Sequence, residues 1–164
     1  SNVNRSELEA YIQTGSLDAI QERFSMIDRE IEADLLPLTH QNDVATLSYS
    51  SLALGLLSGM IGPDRVFASD DQRKDNPRFS VANRQKAKDF SDAIRPVAER
   101  HGASIAQVVI AWTLAQPGVT FALCGARNPA QALDNARAGT LRLDMDDLAA
   151  IDAGIAAKLA NMDG

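Results

Sequence analysis

The sequence predicts an α/β protein with a parallel sheet and helical crossovers. Two observations carry this: helix-like and strand-like segments alternate along the chain, and the strand-like segments are short and apolar. A doubly wound sheet and part of a (β/α)8 barrel both fit, and periodicity alone does not separate them.

The elements follow in order. Ser6 is a candidate N-cap for a helix to Thr14, with Glu7 and Glu9 in its electropositive first turn and Gly15 as its stop. Leu17–Gln21 reads as a strand, with Leu17, Ala19 and Gln21 on one face and Asp18 and Ile20 on the other. A helix is expected from Asp28 to Gln41, where Ile31, Leu35 and Leu38 recur at helical spacing and Pro37 interrupts. Val44–Tyr49 is the second strand. From Gly62 to Ser80 the chain is polar and irregular, a long surface loop of the kind that often carries function. Val81 to His101 reads as one helix with Phe90, Ile94, Val97 and Ala98 as its apolar stripe. Ser104 caps a nearly all-apolar helix, Ile105 to Gln116, that Pro117-Gly118 ends. Val119–Cys124 is a continuous apolar run, expected to be a strand buried on both faces. Asn128 caps a helix with Pro129 at its first position, and Asp144 caps the last one, with Leu148, Ile151 and Ile155 along its stripe.

Composition narrows the function classes. The 164 residues carry 16 Lys and Arg against 22 Asp and Glu, a net charge of −6, which argues against nucleic acid held by bulk charge. The length suits one region, 1–164, with 62–80 as its long loop. The single cysteine, Cys124, cannot close an internal disulfide, consistent with a reducing, cytoplasmic setting. No apolar run is long enough to suggest a membrane span, and no signal peptide is visible. Ser1 stands where a Met would, so a processed or cut start is expected.

The sharpest chemical feature is Cys124-Gly-Ala-Arg-Asn-Pro129, at the carboxyl end of a strand and the start of a helix. Gly125 permits close backbone approach, helix N–H groups favour an anion, and the Arg127 guanidinium suits phosphate oxygens. Gln131 and Asn135, four apart, share a face suited to a sugar or adenine edge. The same residues could equally be a helix start with a solvated arginine. Tyr49, at another strand end, could stack on a planar heterocycle, and the glycines and serines beyond it could offer N–H groups to a pyrophosphate. A plain strand, turn and core leucines fit that stretch too. Gln21 could pair with a ligand amide or with backbone, and Ser1 and Asn2 could join it. There is no GxGxxG, P-loop or GxSxG motif. His40 and His101 each end an expected helix, where surface or dipole roles fit better than catalysis, and Cys124 reads as an inert buried thiol.

Several of these stretches together resemble the aldo-keto reductases. Tyr49-Ser-Ser-Leu-Ala-Leu-Gly-Leu-Leu-Ser-Gly59 is similar to that family's YSPLxxGLLTGK. Ala106 to Thr120 is similar to its AQxALAWxLxxPGVT, and Gly125 to Asn135 to its GARxxxQxxxN cofactor motif. Ser1-Asn2, Ile20-Gln21 and Asn76-Pro-Arg-Phe79 match further short motifs in the same order. The resemblance implies the second half of a (β/α)8 barrel, with about three parallel strands completed by oligomerisation, a partner chain or a missing first half. It implies NADP(H) as cofactor. Ser1, Asn2 and Gln21 would hold the nicotinamide carboxamide and Tyr49 would stack on its ring. Ser51, Leu52 and Gly55 would line the pyrophosphate, while Gly125, Arg127, Gln131 and Asn135 would take the adenosine and its 2′-phosphate. Ser51 stands where the family usually has Pro, and Met60 where it often has Lys. The family's catalytic Asp, Tyr, Lys and His belong to its first half and have no counterparts here, so no catalytic residue is assigned. Hydride transfer to aldehydes or ketones would belong to the full enzyme. A binding or oligomerisation module of the same descent, without retained cofactor, is the alternative.

Overall fold

Parallel pairing needs long crossovers between strands, the connections here provide them, and the strands pair in parallel. The computed structural model describes residues 1–162. Strands β1 (Ala19–Arg23), β2 (Ala45–Tyr49) and β3 (Phe121–Leu123) form one parallel sheet in the order β1-β2-β3. The register sets Arg23 and Leu123 on either side of Tyr49, so the three carboxyl ends are level. Both β1 and β3 are edges. Thr46 and Ser48, buried on β2, are satisfied by Thr39 Oγ1 at 3.0 Å and by the Phe121 carbonyl at 3.3 Å.

Helix α1 (Arg5–Thr14) starts two residues earlier than expected: Asn4, not Ser6, is the cap, in a reciprocal box with Glu7. Both Asn4 and Ser6 have Glu three residues on, and the earlier start leaves Glu9 to pair with Arg5 at 2.8 Å. β1 begins at Ala19 rather than Leu17 and runs on to Arg23, with Ile20 and Glu22 on the buried side and Ala19 and Gln21 on the other. Helix α2 covers only Leu35–Gln41, not the expected stretch from Asp28. Pro37 then falls in the first turn, where its missing N–H breaks no helical bond. The residues before it turn instead, with Ser25 and Asp28 exchanging backbone bonds at 3.0 and 3.3 Å.

The expected helix 81–101 is two: α3 (Val81–Ala93) and α4 (Arg95–Arg100). Pro96 enforces the break, because in a continuous helix its ring would meet the carbonyl four residues back. The stripe Phe90, Ile94, Val97 and Ala98 is nevertheless buried throughout. Helices α5 (Ile105–Leu114), α6 (Pro129–Arg137) and α7 (Met145–Lys158) start at the expected caps Ser104, Asn128 and Asp144.

The main core is built by residues of α3, α5 and α7 together with Phe24, Met26, Leu56 and Leu57. Trp112 and Phe24 stack there with ring centroids 6.1 Å apart, and the indole N–H donates to Asp152 Oδ1 at 2.9 Å. A smaller cluster of Leu8, Ile20, Leu35 and Val44 sits under α1 and α2. β3 departs from expectation: Phe121 and Leu123 are exposed rather than buried on both faces. As an edge strand it has one neighbour, and α5 covers only the side its alternate residues face.

The 62–80 loop packs onto the main core through Phe79 and Phe67. Phe67 lies edge-on to Phe79 at 5.6 Å, and the guanidinium groups of Arg73 and Arg84 sit over its ring at 5.0 and 5.6 Å. Arg78 of the Asn-Pro-Arg-Phe stretch grips the buried Asp28 with two bonds of 2.8 and 2.9 Å, pinning the end of the loop near the carboxyl end of β1. Burial opposes the charge of Asp28, but the bonds from Arg78 and Ser25 outweigh it and hold the carboxyl below its usual range.

Candidate functional site

The level strand ends are where parallel α/β folds place ligands. After Tyr49 the chain cannot continue straight, and Ser50, Ala53, Leu54 and Gly55 all take positive φ, at 64°, 48°, 55° and 91°. Only Gly55 adopts that region without steric cost, so the turn holds strained backbone of the kind that gathers at binding sites. This turn, the β3–α6 loop and the 62–80 loop enclose a cleft of about 870 Å³. Tyr49, Ser51, Leu52, Gly55, Gly125, Arg127, Gln131 and Asn135 all line it.

Ser1, Asn2 and Gln21 lie outside that lining but are joined to it. The Asn2 N–H and the Ser1 hydroxyl donate to the Gln21 carbonyl at 3.1 and 3.0 Å, and the Tyr49 hydroxyl donates to Asn2 Oδ1 at 2.7 Å. Gln21 thus takes part through its backbone. Ser51 is buried, with its hydroxyl 3.3 Å from Ser48 Oγ, and forms wall rather than a free side chain.

On the opposite wall, Gln131 Oε1 accepts the Arg127 N–H at 2.8 Å and Asn135 Nδ2 donates to the Gly125 carbonyl at 3.1 Å. The two amides shape the Gly125–Arg127 turn, and Gln131 keeps its amide N–H groups, and Asn135 its carbonyl oxygen, for a ligand. The exposed Arg127 guanidinium makes no ion pair among the described residues. Cys124 also lines the cleft, and burial pushes its thiol pKa up, as suits an inert side chain.

Sequence reasoning missed three contributors from the loop, Arg65, Gln72 and Arg73, and one from α6, Asp134. The Arg73 guanidinium comes within 3.9 Å of where a Cβ on Gly55 would stand, against the strained turn. It brings a cation to the wall that exposed Met60 leaves without one. The loop arginines sit in an aperiodic stretch, so no spacing marked them. Asp134 accepts from Ser104 Oγ at 2.9 Å and Gln107 Nε2 at 2.7 Å, locking α6 to the start of α5. Its position between Gln131 and Asn135 was the available signal. Arginines on two walls, a glycine turn and an aromatic at one end suit an elongated anionic ligand such as a dinucleotide.

A family model, the Aldo/keto reductase family, matches residues 5–156. The chain belongs to that family. It is similar to a glycerol dehydrogenase from Gluconobacter oxydans, with a TM-score of 0.89 and 29% identity over 99% of this chain and 50% of that one. It is 33% identical to the NADH-specific methylglyoxal reductase of Escherichia coli over 90% of this chain and 44% of that protein. It is 32% identical to the aldo-keto reductase YhdN of Bacillus subtilis, over 80% of this chain and 40% of that protein. The chain therefore spans about half the length of the relatives it matches, and its three strands and helices correspond to part of the aldo-keto reductase (β/α)8 barrel.

Proposed function

We propose that this chain is the nicotinamide-cofactor-binding half of an aldo-keto reductase, and that its cofactor is NADP(H). The observation that carries this is the meeting of Tyr49, Gly55, Arg127, Gln131 and Asn135, from separate stretches of sequence, on one cleft. When bound, the cofactor supplies the hydride for an aldehyde or ketone in the complete enzyme. Tyr49 offers a ring for the nicotinamide to stack on, already anchored through Asn2. Ser1, Asn2 and Gln21 orient the carboxamide. Ser51, Leu52, Gly55 and the guanidinium of Arg73 face the pyrophosphate, and Arg127 takes the 2′-phosphate. No residue here is assigned as the proton donor, so turnover by the chain alone is not expected. A cytoplasmic location is part of the reading, supported by the lone thiol; among the described residues no helix is long and apolar enough to cross a membrane.

NADPH fluorescence titration tests the site. Binding to the purified chain, weakened about tenfold or more in Arg127→Ala, is expected from the loss of a charged hydrogen-bonding group. Because the Escherichia coli relative is NADH-specific by name, NADH is titrated beside it. Carbonyl-dependent NADPH oxidation at the blank rate is expected, and ordinary turnover overturns the half-enzyme reading. A second reading draws on the exposed Phe121 and Leu123 at the open β3 edge: pairing with another copy or with a separate first-half chain. Size-exclusion chromatography with light scattering distinguishes it, a monomer at all concentrations counting against self-association.

A further inference from the structure

The loop that brings Arg73 to the cleft also brings the carboxylate that offsets it. Asp71 grips Arg73 as a fork, with Nε to Oδ1 at 2.8 Å, Nη2 to Oδ2 at 2.5 Å and the Arg73 backbone N–H to Oδ1 at 3.0 Å. Arg73 is buried to 9% exposure, so this pair is shielded from water and salt on most sides. Asp71 has a second cationic neighbour. With Asp70 it lines a small depression whose opposite side is Arg127. The bonds from Arg73 are the main reason its carboxyl lies far below the usual range, and the charge of Arg127 adds to the effect. One carboxylate therefore faces both cations to which a phosphorylated cofactor would turn.

We propose that Asp71 sets the cofactor selectivity of this cleft, lowering its preference for a dinucleotide with a 2′-phosphate over one without. This rests on the reading of the cleft as a nicotinamide-dinucleotide site. NADPH and NADH share the pyrophosphate, so whatever Asp71 does through Arg73 at that group affects both and cancels in their ratio. The 2′-phosphate adds negative charge beside Arg127, where the field of Asp71 opposes it. Only this part of the effect changes the ratio, whereas a purely structural role for Asp71 shifts both cofactors alike.

Asp71→Asn removes the charge and keeps an acceptor for Arg73. NADPH and NADH are titrated by fluorescence into the wild type, Asp71→Asn, Asp71→Glu and the double variant Asp71→Asn/Arg127→Ala. NADPH is expected to tighten about fivefold or more relative to NADH in Asp71→Asn. Asp71→Glu should restore the wild-type ratio, and the double variant should lose most of the gain. Equal shifts for both cofactors, or a gain that survives loss of Arg127, overturn the assignment while leaving the cofactor site standing. If the wild type and Asp71→Asn bind neither cofactor, the reading of the cleft itself fails and this assignment with it.

Discussion

Trp112 and Phe90 on the helical side of the molecule have no exposed surface, while Phe121 and Leu123 at the sheet edge are 54% and 39% exposed. The residue types are alike and the packing is not. On the helical side, α3, α5 and α7 pack their inward faces into the main core. On the cleft side, strained backbone, arginines and half-satisfied amides remain open to the outside. The contrast separates where this protein gets its stability from where the proposed ligand site lies. Apolar burial on one side holds the turn and loops of the other in conformations they would not keep alone.

The largest way to break that division is Trp112→Ala. It deletes the stack on Phe24, the bond to Asp152 and the surface under Arg29, so a loss of about 3–5 kcal/mol is expected in urea unfolding. A loss below about 1 kcal/mol would mean that the helical layer is not what holds the fold.

A smaller effect sharpens how charge contributes on the helical side. Asp147 is fully buried at the start of α7, bonded to His101 Nε2 at 2.6 Å and paired with Arg100. Burial opposes its charge, but His101, the Asp144 N–H and Arg100 outweigh that and hold its carboxyl below the usual range. Asp28 behaves likewise. A carboxylate whose pKa is depressed by folding stabilises above its unfolded value and loses that contribution as pH falls through the folded one. Thermal unfolding scans should therefore show little change from pH 7 down to about 4 from these groups and a decline below it. Asp147→Asn should cost about 2–3 kcal/mol at pH 7 and flatten the acid decline. An unchanged acid limb would place the titration elsewhere.

The smallest expected effect is Phe121→Ser, within about 0.5 kcal/mol for the isolated chain, since an exposed ring on an edge strand gives up little burial. A cost of several kcal/mol would show that the edge is covered in solution.

Much of the fold was legible because capping and periodicity act over one or two turns. Ser104, Asn128 and Asp144 start their helices as read, since each has an acceptor side chain placed for the N–H three residues on. The stretches 28–41 and 81–101 were read too long for one reason: a helical spacing of apolar residues persists across a proline that the backbone cannot accommodate in mid-helix. In the site, Tyr49, Gly125 and Arg127 were visible from their places beside strand ends. Arg73 was not, because its role depends on a loop closing against Gly55.

The sequence by itself determined where α5, α6 and α7 begin, that the strands run parallel, and which residue types stand at their ends, because these follow from backbone geometry within a few residues. Tertiary structure alone decided which charges meet. Arg78 reaches Asp28 across a separation of 50 residues, and Asp71 comes to face Arg127. It also decided that the apolar run at Phe121–Leu123 stays open. Such contacts carry no local signature: they form only once the packed core has offset the entropy of closing the loops between them.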